Sequence, residues 1–141
     1  MPSNFVAAGA EGYEAVMGRW SRALAHPFID FAGLPSRGRV LDAGCGTGSL
    51  TLALAACDGL EAIDALDFEE SMITALRGRT ADARIRAIRG DLCALPYANG
   101  EFDAAYSLLV LHFVPDALRA LREMRRVLRP GGVAAAAVWA Y

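Results

Sequence analysis

Lysine is missing from this chain altogether: its 14 basic side chains are all arginine. Sixteen acids bring the net charge to -2. No basic excess is present to draw the chain onto nucleic acid or an anionic membrane, and neither is expected as a partner. Cysteine is scarce. Cys45, Cys57 and Cys93 make an odd number and contain no Cys-x-x-Cys pair. That usage suggests neither a disulfide framework nor a zinc site, so no metal is expected and a reducing cytoplasm is the expected location. Long hydrophobic runs are also lacking: 55% of the residues are apolar, yet no stretch approaches the roughly 20 residues that cross a bilayer. The opening residues, MPSNFVAAGAEGY, have neither the basic start nor the apolar core of a signal peptide. Repeats and low-complexity linkers are absent. The abundant alanine and exclusive arginine are the usage of a GC-rich bacterial genome, which carries no chemistry.

What is present is an alternation of two periodicities. At 141 residues the chain is one domain by length and can bury roughly two-thirds of its unfolded surface. Short apolar runs read as strands at 39–44, 60–68, 83–91, 101–111 and 133–139. Between them, 48–57, 69–79 and 115–132 have helical spacing. The last carries Leu118, Leu121, Met124 and Leu128 along one face, with Arg119, Arg122, Arg125, Arg126 and Arg129 mostly opposite, a solvated surface. Strand and helix in repeated succession predict an α/β domain around a parallel sheet with right-handed crossovers. Ahead of the first strand, 18–34 places Trp20, Leu24, Phe28 and Phe31 near one face. Pro27 is expected to split that segment into two short helices. Residues 1–38 thus read as an N-terminal helical cap and 39–141 as the core, within one structural domain.

The densest signal is VLDAGCGTGSL at 40–50, with Gly44, Gly46 and Gly48 between a strand and a helix. Glycine allows positive φ and close approach of a ligand to bare backbone. In open parallel sheets, ligands sit beyond the carboxyl ends of the strands, so a ligand lying across this turn explains the glycines. A dinucleotide fingerprint reads G-x-G-x-x-G. Here the spacing is Gly-Cys-Gly-Thr-Gly, with Asp42 two residues ahead.

At these residues the sequence resembles the class I S-adenosylmethionine-dependent methyltransferases, whose first motif is D/E-x-G-x-G-x-G. Asp42-Ala43-Gly44-Cys45-Gly46-Thr47-Gly48 fits each fixed position. ALDFEESM (65–72), RGDLCALPYANGEFD (89–103), FDAAYSLLVLHFVPD (102–116) and LRPGG (128–132) resemble later motifs of the family, in order. YEAVMGRWSR (13–22) looks like the cap of a bacterial small-molecule branch. The resemblance implies a Rossmann-like three-layer sandwich with strand order 3-2-1-4-5. It implies S-adenosylmethionine as cofactor and S-adenosylhomocysteine as product. Asp42 would orient the loop and favour the cationic groups of the ligand, with Gly44, Cys45 and Gly46 lining it. Asp67, about twenty residues past the last glycine, would accept from the ribose hydroxyls. Phe68 would pack on the adenine, Asp91 would accept from its amino group, and Leu92 would lie beside the ring. Backbone near Ser107 would line the methionine end, and Tyr13 or Arg19 would reach its carboxylate. Plainer roles stand beside these: helix-capping acids at Asp67 and Asp91, core packing at Phe68. His112 reads either as a general base or as a structural residue at the end of the fourth strand.

The fourth strand runs into SLLVLH and lacks the N/D-P-P-Y/F segment of resembling enzymes that methylate amino groups of nucleic acid and protein. The expected acceptor is therefore a small molecule, methylated at oxygen, carbon or nitrogen. The resemblance spans about the first two-thirds of a usual family domain, and the closing antiparallel hairpin is expected to be missing. VAAAAVWAY would then be an exposed apolar edge, expected to pair with a second copy. Two readings stay open: an active small-molecule methyltransferase, or a truncated module that binds S-adenosylmethionine with little turnover unless a partner chain completes it. A nicotinamide-dependent oxidoreductase is disfavoured by the glycine spacing and by the lack of a Tyr-x-x-x-Lys pair.

Overall fold

The computed structural model describes residues 9–13 and 17–140, with the side chains of Ala10 and Tyr13 left out. Five strands form one sheet in the order β3-β2-β1-β4-β5, with every neighbouring pair parallel. These are β1 (Gly38–Ala43), β2 (Leu60–Asp67), β3 (Ile85–Arg89), β4 (Phe102–Leu108) and β5 (Leu128–Ala137). A short α1 (Gly9–Tyr13) and α2 (Arg19–Ala32) precede the sheet. Helices α3 (Ser49–Ala55), α4 (Glu70–Arg79) and α5 (Ala117–Val127) connect strands. The expected Rossmann-like three-layer architecture and strand order are both present.

The period of two along the strands divides the core. Val40, Ile63, Ala104 and Tyr106 meet Phe28 and Ile29 of α2 and Leu50 and Leu54 of α3. Ala65 and Ala87 meet Ile73 and Leu76 of α4 beside Cys45. Leu41, Ala43, Leu66 and Ala105 point to the other face, against Ala120, Met124 and Val127 of α5 and Leu92, Cys93 and Leu95. The central strands are apolar on both faces because helices cover both.

Two departures from the sequence expectation concern helix faces. Pro27 does not split its segment: α2 runs unbroken from Arg19 to Ala32 with Pro27 inside it. Its buried stripe is Ser21, Ala25, Phe28 and Ile29, while Trp20 and Phe31 are exposed, Phe31 by 81%. The Tyr106 hydroxyl donates to the Gly33 carbonyl at 2.8 Å, and its ring meets Phe28 edge-on. This anchors the end of α2 despite the donor lost at Pro27. In α5, Leu118 and Leu121 are exposed, and the helix turns Ala120, Met124 and Val127 inward instead. Small Ala120 lets the helix sit close to the sheet, and Asp116 fixes its start by accepting from the Arg119 N–H at 3.1 Å.

Strand β5 begins at Leu128, directly after α5, earlier than Val133. Val133 and Val138, near its outer edge, are 47% and 51% exposed. Under the opposite sheet face lies a charged group. Asp64, 2% exposed in its side chain, is held by Arg39 at 2.8 Å and Arg86 at 3.3 Å, and Arg39 also reaches Glu101 at 3.0 Å. No helix among the described residues is long and apolar enough to cross a membrane.

Candidate functional site

Because all five strands run the same way, their carboxyl ends share one edge. That edge gathers the glycine loop after β1, Asp67 at the end of β2, Asp91 just past β3, and the turn that follows β4.

The loop alternates left-handed glycines with ordinary backbone: φ is +82° at Gly44, +54° at Gly46 and +99° at Gly48. Internal packing demands glycine at Gly44 and Gly48. A Cβ on Gly44 would stand 2.6 Å from Val110 Cγ1, and one on Gly48 would overlap Leu76 Cδ1. Ligand approach was the sequence-based reason for all three glycines; at 44 and 48 the protein's own side chains occupy that space. The Gly44 and Cys45 N–H groups both donate to the Leu66 carbonyl, at 2.8 and 2.9 Å, which pins the start of the loop to β2. Cys45 is buried, and its thiol is pushed well up, first by that burial and then by Asp42 and Asp67. It therefore carries no nucleophilic thiolate.

Asp42 is 1% exposed. Its carboxylate receives the Thr51 hydroxyl at 2.6 Å. Burial drives its pKa from 3.8 up to about 7, with the Thr51 bonds opposing and Asp67 reinforcing the rise. Asp42 thus ties the end of β1 to the first turn of α3. The sequence marks Thr51 only by its place in the helix that follows the glycines.

Asp67 joins the loop to β2. One carboxylate oxygen accepts from the Gly46 N–H at 3.0 Å and the other from the Glu69 N–H at 2.9 Å. Its pKa is raised, chiefly by burial. A carboxylate offers about four acceptor positions, so capacity remains beyond these backbone bonds. Phe68 is half-buried. The Arg89 guanidinium lies over its ring at 5.5 Å, and Arg89 Nε donates to the Phe68 carbonyl at 2.9 Å. One side of that ring therefore has a partner that sequence spacing did not reveal. Asp91 accepts from the Cys93 N–H at 2.8 Å, and Leu92 is 6% exposed.

The β4 end is strained and under-satisfied. Ser107 is fully buried, and its hydroxyl lacks a hydrogen-bond partner. Leu109 adopts φ +60°, the one non-glycine residue with positive φ among those described, and its N–H donates to the Ala137 carbonyl at 2.8 Å. The kink starts a 3-10 turn at Leu111–Phe113 and seats Val110 on Gly44. Both ring nitrogens of His112 are shielded from solvent without a partner. Desolvation lowers the pKa of that imidazole. Arg19 opens α2, and its guanidinium stacks on Trp20 at 4.7 Å; Trp20 meets Trp139 edge-on at 5.9 Å. The Tyr13 side chain lies outside the described residues.

Thus the edge brings Asp42, Gly44, Cys45, Gly46, Asp67, Asp91 and Ser107 to one side of the sheet, with the loop and Asp67 bonded as a unit. The fit to S-adenosylmethionine rests on that unit: a carboxylate with spare acceptor capacity beside left-handed backbone, and no helix-terminal phosphate cradle required.

Known proteins share this fold. The methyltransferase domain family matches residues 41–136. The demethylmenaquinone methyltransferase of Staphylococcus aureus strain MRSA252 is 38% identical over 97 residues, 67% of this chain and 40% of that protein. The matched segment therefore spans well under half the length of such relatives. A candidate S-adenosyl-L-methionine-dependent methyltransferase from Methanococcus maripaludis superposes with a TM-score of 0.78 at 27% identity, covering 98% of this chain and 67% of that one. The [4+2]-cyclase SpnF superposes with a TM-score of 0.73 at 30% identity, over 82% of this chain and 43% of that one.

Proposed function

The chain belongs to the class I S-adenosylmethionine-dependent methyltransferases, and on that premise we propose that it transfers a methyl group to a small-molecule acceptor. The observation that carries the cofactor half is the bond between Gly46 and Asp67. It builds the glycine loop and the acid at the second strand end as one piece, the pair that a ribose and its attached groups require. Asp67 holds the ribose hydroxyls. Asp91 and Leu92 address the adenine, and Phe68, backed by Arg89, packs beside it. The loop at Gly44, Cys45 and Gly46 and the backbone near Ser107 line the methionine end, with Arg19 or Tyr13 toward its carboxylate. Asp42 acts through Thr51 by fixing where the loop begins.

When bound, S-adenosylmethionine supplies a methyl group made electrophilic by its sulfonium. The chain's contribution is to hold the acceptor in line and to keep water out, and positioning of this kind lowers the barrier substantially. The small-molecule assignment rests on the absence of an N/D-P-P-Y/F segment after β4.

Titration calorimetry with S-adenosylmethionine, S-adenosylhomocysteine and NAD tests the reading. Heat with both sulfur ligands and none with NAD is expected; silence with both sulfur ligands refutes it. The similarity to SpnF supports the second reading, a module that binds the cofactor with little methyl turnover, since that relative is named for a cyclisation and fold alone does not fix chemistry. Tight binding without transfer to any acceptor supports that reading over the first. The outer edge of β5 is proposed to pair with a second copy. Light scattering checks this, and a monodisperse monomer counts against it.

A further inference from the structure

The segment that carries Asp91 and Leu92 builds no scaffold of its own. Residues 90–101 join β3 to β4 without a helix or a ladder strand. Leu92, Cys93 and Leu95 bury their side chains against Ala120, Met124 and Val127 of α5. Apolar burial is non-directional. It sets how deep the segment sits and leaves open how far it slides or turns along the helix.

Two side chains of α5 supply the direction. Leu95 is held at both backbone groups: its N–H donates to Glu123 Oε1 at 2.9 Å, and its carbonyl accepts from Arg126 Nη2 at 2.9 Å. Arg126 Nη1 donates to the Tyr97 carbonyl and to Asn99 Oδ1, each at 2.9 Å. Arg126 Nε closes the pair by donating to Glu123 Oε2 at 2.7 Å. The leucine spacing of α5 puts Arg126 among its solvated arginines; in the fold Arg119, Arg122 and Arg125 are exposed and Arg126 is half-buried. Its planar, rigid fork suits three oxygens on three residues of the segment, which a lysine ammonium on a flexible stem does not match. The bond from Arg126 also holds the Glu123 carboxyl below its ordinary pKa, and hydrogen bonds between charged partners are the strong ones.

The clamp reaches Asp91 through a tight turn. The Ala94 N–H donates to the Asp91 carbonyl at 3.0 Å, and the Cys93 N–H to Asp91 Oδ1 at 2.8 Å. The stretch from Asp91 to Leu95 is thus stiff, and a slide at Leu95 carries to the Asp91 carboxylate. Hydrogen bonds weaken steeply as their angle degrades, so a small slide costs recognition. We propose, on the reading that Asp91 accepts from the adenine amino group, that Glu123 and Arg126 are positioning residues for base recognition. From α5 they fix the register of the segment, so that Asp91 meets the amino group squarely. The choice of base then depends on an ion pair that acts only through the backbone it holds.

Calorimetry with S-adenosylhomocysteine and S-inosylhomocysteine tests this. The second ligand has an oxo group where adenine has its amino group, so it sets an acceptor against Asp91. Wild type is expected to prefer S-adenosylhomocysteine by about 10-fold or more, the worth of a hydrogen bond to a charged group. Arg126→Ala is expected to lose most of that preference. A merely structural arginine would weaken both ligands alike and keep their ratio. Arg84→Ala is the matched control, because Arg84 likewise donates to two backbone carbonyls, those of Leu60 and Ala55. It is expected to lower stability in urea and to leave the preference at its wild-type value. In an Asp91→Ala background, Arg126→Ala is expected to leave the affinity for S-adenosylhomocysteine almost unchanged, since the group it positions is gone. A full preference in Arg126→Ala, or in Arg126→Lys where the alanine variant does not fold, overturns the proposal. So does an equal loss of preference in Arg84→Ala, or an undiminished cost of Arg126→Ala in the Asp91→Ala background. A wild-type chain that binds both ligands equally overturns the reading of Asp91, and the proposal with it. Failure to bind S-adenosylhomocysteine at all overturns the methyltransferase reading instead.

Discussion

Asp42→Asn is expected to stabilise the chain at pH 8 and to flatten its dependence on pH. The side chain is 1% exposed, and burial raises its pKa from 3.8 to about 7. Between about pH 4 and pH 7 the folded chain keeps a proton on Asp42 that the unfolded chain has released. Folding takes up a proton across that window, so stability falls as pH rises through it and is level again above pH 7. A rise of about three units corresponds to about 4 kcal/mol. Relaxation and water penetration in the real interior reduce this, to an expected 2–4 kcal/mol (an order-of-magnitude figure). Asparagine removes the charge and keeps a carbonyl oxygen to accept the Thr51 hydroxyl. Urea unfolding of both chains at pH 5 and pH 8 measures the effect. The variant's advantage is expected to be a little over a third of its full size at pH 5 and complete at pH 8, where the folded chain has released the Asp42 proton. Asp67, also raised by burial, remains in both chains and drops out of the difference to first order. Parallel pH profiles would refute the reasoning, since they would mean that Asp42 titrates alike in folded and unfolded chain.

Three further outcomes are expected. Gly48→Ala places a Cβ into fully buried Leu76 at φ +99°, and strain plus overpacking should cost about 2–4 kcal/mol in urea unfolding; additivity with Leu76→Ala in a double-mutant cycle would show that the two do not touch. Asp67→Ala should weaken S-adenosylhomocysteine binding by about 10- to 100-fold in calorimetry, the worth of a buried acceptor's hydrogen bonds, and an unchanged affinity rules out the ribose role. Pro27→Ala, at an exposed position inside α2, should raise stability by about 1–3 kcal/mol by restoring a helix donor and relieving the ring clash; a drop in melting temperature would contradict it.

Side-chain period and turn chemistry are local properties, which is why so much of this fold is legible from the residues alone. The strand-helix alternation, the loop from Asp42 to Gly48 and the acids at successive strand ends all lie in short segments. Parallel pairing then carries those ends to one edge without further information. Reasons for the glycines were less legible. Val110 is 66 residues from Gly44 and Leu76 is 28 from Gly48, so no local pattern announces that side chains fill those spaces. Thr51 beneath Asp42 and Arg89 over Phe68 were hidden in the same way.

Helix faces show the boundary most plainly. The leucine spacing of α5 suggested a buried stripe of Leu118 and Leu121, yet Ala120, Met124 and Val127 face the sheet. Both stripes have helical period, and only the surface opposite decides which is buried. Pro27 likewise predicts a break that α2 withstands because its neighbours, Phe28 and Ile29, are held by the core. The residues alone set the class of fold, the glycine loop and the order of the acids at the strand ends, because these depend on residues near one another in the chain. Tertiary structure alone decided which faces are buried, why two glycines are obligatory, and that the turn bearing His112 rests against the loop, because each is a contact between distant segments.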